Sequence, residues 1–175
     1  MAECFAEILA IGGKTNSLGR TGEVIESVLH DRNQMDELYS CVFDDDAWIR
    51  MRAIDALEKI CRQHPDWLLP YIDRFQSELA LSNQASVQWH LAQIYSQVNL
   101  TIEQKRKAID WLKGLLSSVE VDWIVAANAM YTLVQFAKDN YVTKDEIISL
   151  IEIQQKHKSK SVVRKANKFL SELRA

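Results

Sequence analysis

Apolar residues recur along this chain at spacings of three and four, and the recurrence itself repeats. Four nine-residue segments superpose without gaps: Ile49 to Leu57, Val87 to Tyr95, Val125 to Leu133 and Val162 to Leu170. Their first residues lie 38, 38 and 37 positions apart. The fifth positions are Ala53, Leu91, Ala129 and Ala166, and the ninth are Leu57, Tyr95, Leu133 and Leu170. The twelfth positions, just beyond the segments, are Ile60, Val98, Phe136 and Leu173. Steps of four, four and three keep these positions on one stripe of an α-helix, so each segment is predicted to be an amphipathic helix with that stripe buried.

Short polar residues precede each segment. Asp46, Asn83, Asp122 and Ser159 stand three or four positions before the first apolar residue, where a side-chain oxygen can accept from a free backbone N–H. A further helical pattern comes before each of these: Met35 to Phe43, Trp67 to Leu81, Thr101 to Leu116 and Thr143 to Gln155. Thr101 with Gln104, and Thr143 with Glu146, have the spacing of a reciprocal cap. Pro65-Asp66 ends one helix and begins the next, with Pro70 expected in its first turn. The unit is therefore helix, turn, helix, repeated about four times over residues 35–175. Residues 1–34 differ. Gly12, Gly13, Gly19 and Gly22 fall between a short N-terminal helix and one expected from Glu23 to His30, as in an atypical cap on a repeat array.

Composition supports helices and narrows the chemistry. The 175 residues hold only 5 glycines and 2 prolines, too few punctuating residues for a many-stranded sandwich or barrel. No apolar run is long enough to span a bilayer, and no secretory leader is evident at the start. Three cysteines, Cys4, Cys41 and Cys61, imply no disulfide framework and fit a reducing, cytoplasmic setting. The formal charge of −3 hides an asymmetry: residues 156–175 carry seven basic residues and one acid. The simplest reading is a solvated helix face, although such an end could also meet an acidic partner.

Asp46, Ile49, Arg50, Ala53, Ala56 and Leu57 follow the pattern Asp-x-x-(Val/Ile)-Arg-x-x-Ala-x-x-Ala-Leu. With the unit length, this resembles the HEAT repeat, and His64 to Ile72 resembles the opening of the next such unit. The other three units depart at the arginine, with Gln88, Ala126 and Val163 in its place. The resemblance implies an all-α, right-handed α-α superhelix of about four helix pairs. It also implies that the second helices line a concave groove. Many unrelated proteins share these repeats, so it says little of function.

The polar positions of the second helices are the candidate site. Position four holds Arg52, His90, Asn128 and Lys165, and position seven holds Asp55, Gln93, Tyr131 and Lys168. Lys59 follows at position eleven of the first segment, and Trp89 stands beside the apolar stripe. Spacings of three and four place them on one face, which in a HEAT-like array would meet a partner protein or peptide. Most of the five tryptophans are expected in the core or between repeats. The alternative is a DNA-binding protein related to HEAT-like alkylation-repair glycosylases, with Trp89, Trp123, Tyr131, Asp55, Arg52 and Lys165 on the duplex. The acidic body speaks against it. No cofactor, metal site or catalytic residue is expected. Gly13-Lys14-Thr15 lacks the earlier glycine and the strand of a phosphate-binding loop, and Cys61 with His64 falls short of the three or four ligands of a zinc site.

Overall fold

The computed structural model describes residues 3–13 and 17–175. Lys14 and Thr15 of the glycine-rich loop lie outside them. Among the described residues there is no strand, and the chain forms two compact units, Met1–Leu68 and Leu69–Ala175.

In the first unit, α1 (Phe5–Ala10), α2 (Thr21–His30) and α3 (Met35–Ser40) pack around α4 (Ala47–Gln63). Helix α2 begins at Thr21 rather than Glu23, so Gly22 lies inside it. Two of the loop glycines are required by close approach. Gly19 has φ +52°, the left-handed region, and a Cβ there would run into the Ile11 carbonyl. At Gly12 a Cβ would overlap the guanidinium of Arg52.

In the second unit, α5 (Ile72–Ser77) and α6 (Ala85–Gln97) are followed by α7 (Ile102–Leu116), α8 (Trp123–Lys138), α9 (Lys144–Gln154) and α10 (Lys160–Arg174). Helix α8 is the hub and touches α6, α7, α9 and α10. The single helix expected from Trp67 to Leu81 is broken. A 3₁₀ run, Pro65–Tyr71, precedes α5, and a second, Leu79–Leu81, follows it. Pro70 sits inside the first run, where it cannot supply the N–H that an α-helical turn would use.

All sixteen stripe positions are buried, at 8% exposure or less. Ala53, Ala129 and Ala166 are fully enclosed, as positions of close helix approach require. The reciprocal caps at Thr101/Gln104 and Thr143/Glu146 form as expected. Of the four simple caps, two form: Asp46 accepts from Trp48 N–H at 2.7 Å and Asp122 from Ile124 N–H at 2.9 Å. The N-cap of α6 is Gln84 rather than Asn83, and Ser159 at the start of α10 makes no capping bond.

The arginine of the repeat pattern has a visible task. Arg50 Nη1 donates to the Asp44 carbonyl at 2.6 Å and to the Asp45 carbonyl at 2.9 Å, fixing the turn into α4. Gln88 does the same one repeat later, reaching back to the Ser82 carbonyl at 3.0 Å. Ala126 and Val163 have no group that could. Other buried polar side chains join neighbouring repeats of the second unit. Thr132 Oγ1 donates to Ala92 O at 2.8 Å, and Gln154 Nε2 donates to Leu116 O at 2.9 Å and Ser118 O at 3.0 Å. His157 Nε2 reaches Val121 O at 2.9 Å. These bonds give the buried side-chain donors a protein partner in place of water.

Candidate functional site

The second-helix face divides into residues that serve the interior and residues that meet solvent. In the first unit, Arg52 is 3% exposed, although a polar position on this face was expected to be open. Its Nη1 donates to Leu9 O at 2.6 Å and its Nε to Ser17 O at 3.0 Å, so it closes the end of α1 and holds the loop beyond it. Asp55 is buried too and pairs with Lys59 at 2.8 Å one turn on. Only Lys59 of these three reaches solvent appreciably.

In the second unit, His90 is buried and its Nδ1 lies 2.6 Å from Ser86 O, where it must act as donor. The ring stacks on half-buried Trp89, with centroids 3.4 Å apart. Gln93 Nε2 donates to Asn128 Oδ1 at 3.1 Å, and Asn128 Nδ2 to Ile124 O at 2.8 Å, which joins the columns of α6 and α8. Tyr131 is 47% exposed on α8. Lys165 and Lys168 are exposed on α10, the helix packed against α8. Lys168 lies 3.9 Å from Glu172, which also meets Lys138 at 2.9 Å. The Lys138 ammonium holds the Glu172 carboxyl below its usual range. Among the described residues Lys165 faces no carboxylate. Of the expected face, Gln93 and Asn128 are in contact, and Tyr131, Lys165 and Lys168 are exposed on the adjoining helices α8 and α10.

The expectation for the tryptophans holds between repeats for Trp111, which meets Tyr95 of the preceding helix pair edge-on at 5.8 Å, but not for the core. None of the five is fully buried: Trp48 and Trp123 are 40% and 52% exposed, and Trp67, Trp89 and Trp111 are half-buried. Trp111 Nε1 donates to Ala80 O at 3.0 Å, which keeps the indole N–H at the edge of the packing. The cysteines are placed by burial. Cys41 and Cys61 are buried and their thiols are pushed up to about 11 and about 12, while Cys4 is exposed. No three His, Cys, Asp or Glu side chains among the described residues converge as metal ligands. Among those residues no helix is long and apolar enough to cross a membrane.

The model of the HEAT repeat domain matches residues 14–172. The chain belongs to the HEAT repeat family. Membership accounts for the helix-pair period, the enclosed alanines and the turn-fixing Arg50 together. It supports a repeat scaffold for protein interaction as the broad class of this HEAT repeat protein. No curated protein and no solved structure matches it.

Sequence reasoning missed one feature of the second unit. A cavity of about 560 Å³ lies beside the first helices α7 and α9, lined among others by Lys105, Tyr141 and Lys144. Its residues come from one face of α7 and from the turn and helix of the next repeat, so only their convergence in space reveals it.

Proposed function

We propose that this HEAT repeat protein is a non-enzymatic adaptor that holds a partner protein or peptide on the second-helix face of α6, α8 and α10. What supports this is the exposure of Tyr131 on α8 and of Lys165 and Lys168 on α10, the helix packed against it, with the half-buried Gln93–Asn128 amide pair linking α6 to α8. Tyrosine offers a large, stiff contact surface with a polar tip, the kind of side chain that dominates interfaces. The lysines favour an acidic partner. Within the same unit, buried His90 supports the face from inside and half-buried Trp89 stacks on it.

A photo-crosslinking residue at position 131 tests the reading. It is expected to capture a defined partner in native cells. Lys165→Glu with Lys168→Glu should reduce that capture about tenfold or more while the melting temperature stays unchanged. Equal capture from a crosslinker at exposed Glu26, on α2, would show that this face has no privileged role.

A further inference from the structure

We propose that a second site, on the first helices of the repeats, binds a peptide segment in which apolar side chains are flanked by acidic residues. The cavity of about 560 Å³ lies between α7, the end of α8 and the start of α9, and falls in the size range of ligand sites, roughly 300–1,000 Å³. Its floor is apolar: Ile109 and Ala137 are 6% and 3% exposed. Its walls mix charged side chains with apolar ones that are open to solvent. Ile102 is 83% exposed, and no large apolar side chain among the described residues is more so; Tyr141 is 46% exposed. A single exposed isoleucine needs no explanation, but one that walls a cavity together with an exposed tyrosine marks a place to bury apolar surface.

The wall is held in place before anything binds. Asn140 takes the left-handed conformation, φ 62°, which asparagine tolerates better than most residues. Around it, Asn140 N–H donates to Ala137 O at 3.1 Å and Tyr141 N–H to Phe136 O at 2.9 Å, a helix-terminating arrangement that fixes the turn bearing Tyr141. Lys105 Nζ lies 3.5 Å from the centre of the Tyr141 ring, so the ammonium is positioned over the cavity edge.

The charges identify the occupant. Two of the lining cations are already matched. Arg106 meets Glu103 at 2.7 Å and Asp110 at 3.5 Å, and Lys113 meets Glu146 at 2.9 Å. Lys105 and Lys144 face no carboxylate among the described residues. A wholly apolar ligand would leave both lysines without a counter-charge, and a plain anion would leave the Ile102 and Tyr141 walls in water. A segment with apolar side chains between carboxylates meets both demands.

The probe is a fluorescein-labelled peptide with a leucine–phenylalanine pair flanked on each side by two aspartates, titrated into the full chain. Two controls replace the apolar pair by serines or the aspartates by lysines. Saturable binding of the aspartate peptide is expected, with amide shifts at Ile102, Lys105 and Tyr141. Ile102→Asp and Lys144→Glu, both at exposed positions, should each weaken it about tenfold. Tyr131→Ala should leave it unchanged, so this result stands apart from the adaptor reading of the other face. The proposal is overturned by no saturable binding, by equal binding of the serine control, or by shifts centred on Lys165 and Lys168.

Discussion

Arg52 shows how one side chain can organise a terminal unit. A guanidinium has five donors in a fixed fork, and burial requires that they find acceptors. Leu9 O and Ser17 O lie within reach because α1 ends there and because Gly12 leaves room for the head group. Arg52→Ala would strand those carbonyls and is expected to destabilise the chain by about 2–4 kcal/mol in urea unfolding. Gly12→Ala should destabilise as well, by displacing the same guanidinium. Because both act through one contact, the double variant should lose less than the two single losses combined. Strict additivity in that cycle would mean that Gly12 matters for its backbone alone.

At the scale of the element, the repeats share a stripe but not their caps. Asp46→Ala and Asp122→Ala should each cost about 0.5–2 kcal/mol, because each removes a bond to a free N–H of the first turn. Asn83→Ala and Ser159→Ala should cost a few tenths at most, since neither makes such a bond. Equal losses at all four positions would contradict the capping geometry. Helix α9 adds a pH-dependent tie. Glu146 accepts from Lys113 at 2.9 Å, closes the Thr143 cap, and has its pKa held down to about 2, chiefly by Lys113 and then by Thr143. A depressed carboxylate stabilises the fold above its unfolded value and loses that contribution as the pH falls through the folded one. The stability gap between the chain and Glu146→Gln, which keeps an amide able to close the cap, should therefore be present at neutral pH. It should vanish as the pH drops from about 4.5 to about 2. Chemical denaturation at a series of pH values measures it, and a gap that persists at pH 2 would argue against the Lys113 pair as its source.

For the whole molecule, charge is unevenly divided. The unit Met1–Leu68 has seven basic and thirteen acidic residues, a net of −6, whereas Leu69–Ala175 has fourteen and eleven, a net of +3. A duplex binder needs several phosphate contacts in a row, and each one neutralised steepens the fall of log K with log salt by about 0.9. On the second-helix face of the second unit the cations lie on α10 and at Lys138, the last residue of α8, while α6 and the rest of α8 carry Gln93, Gln97, Asn128 and Gln135. The chain is therefore expected not to bind labelled duplex, intact or alkylated, with sub-micromolar affinity at about 0.15 M salt. Tight binding with a slope of several units, or release of an alkylated base, would place the protein with the repair enzymes instead.

Burial of the stripe, the helix-pair period and the two reciprocal caps follow from the sequence alone. Each depends on residues within a few positions of one another, and apolar residues at helical spacing have only one favourable place to go. The polar face was legible as a face but not residue by residue. Arg52, His90 and Lys165 occupy the same position of the repeat, yet the first two are buried and the third is open. For Arg52 the difference lies in carbonyls supplied from elsewhere, those of Leu9 and Ser17; His90 bonds one turn back to Ser86 O on its own helix and is enclosed, whereas the face of α10 leaves Lys165 in water. The same holds for the cavity beside α7 and α9. Lys105, Tyr141 and Lys144 are unremarkable in the sequence, and only the packing of consecutive repeats brings an ammonium onto an aromatic ring above an apolar floor. Local periodicity decides which surfaces are buried, and tertiary packing decides which polar groups find protein, rather than water, as their partner.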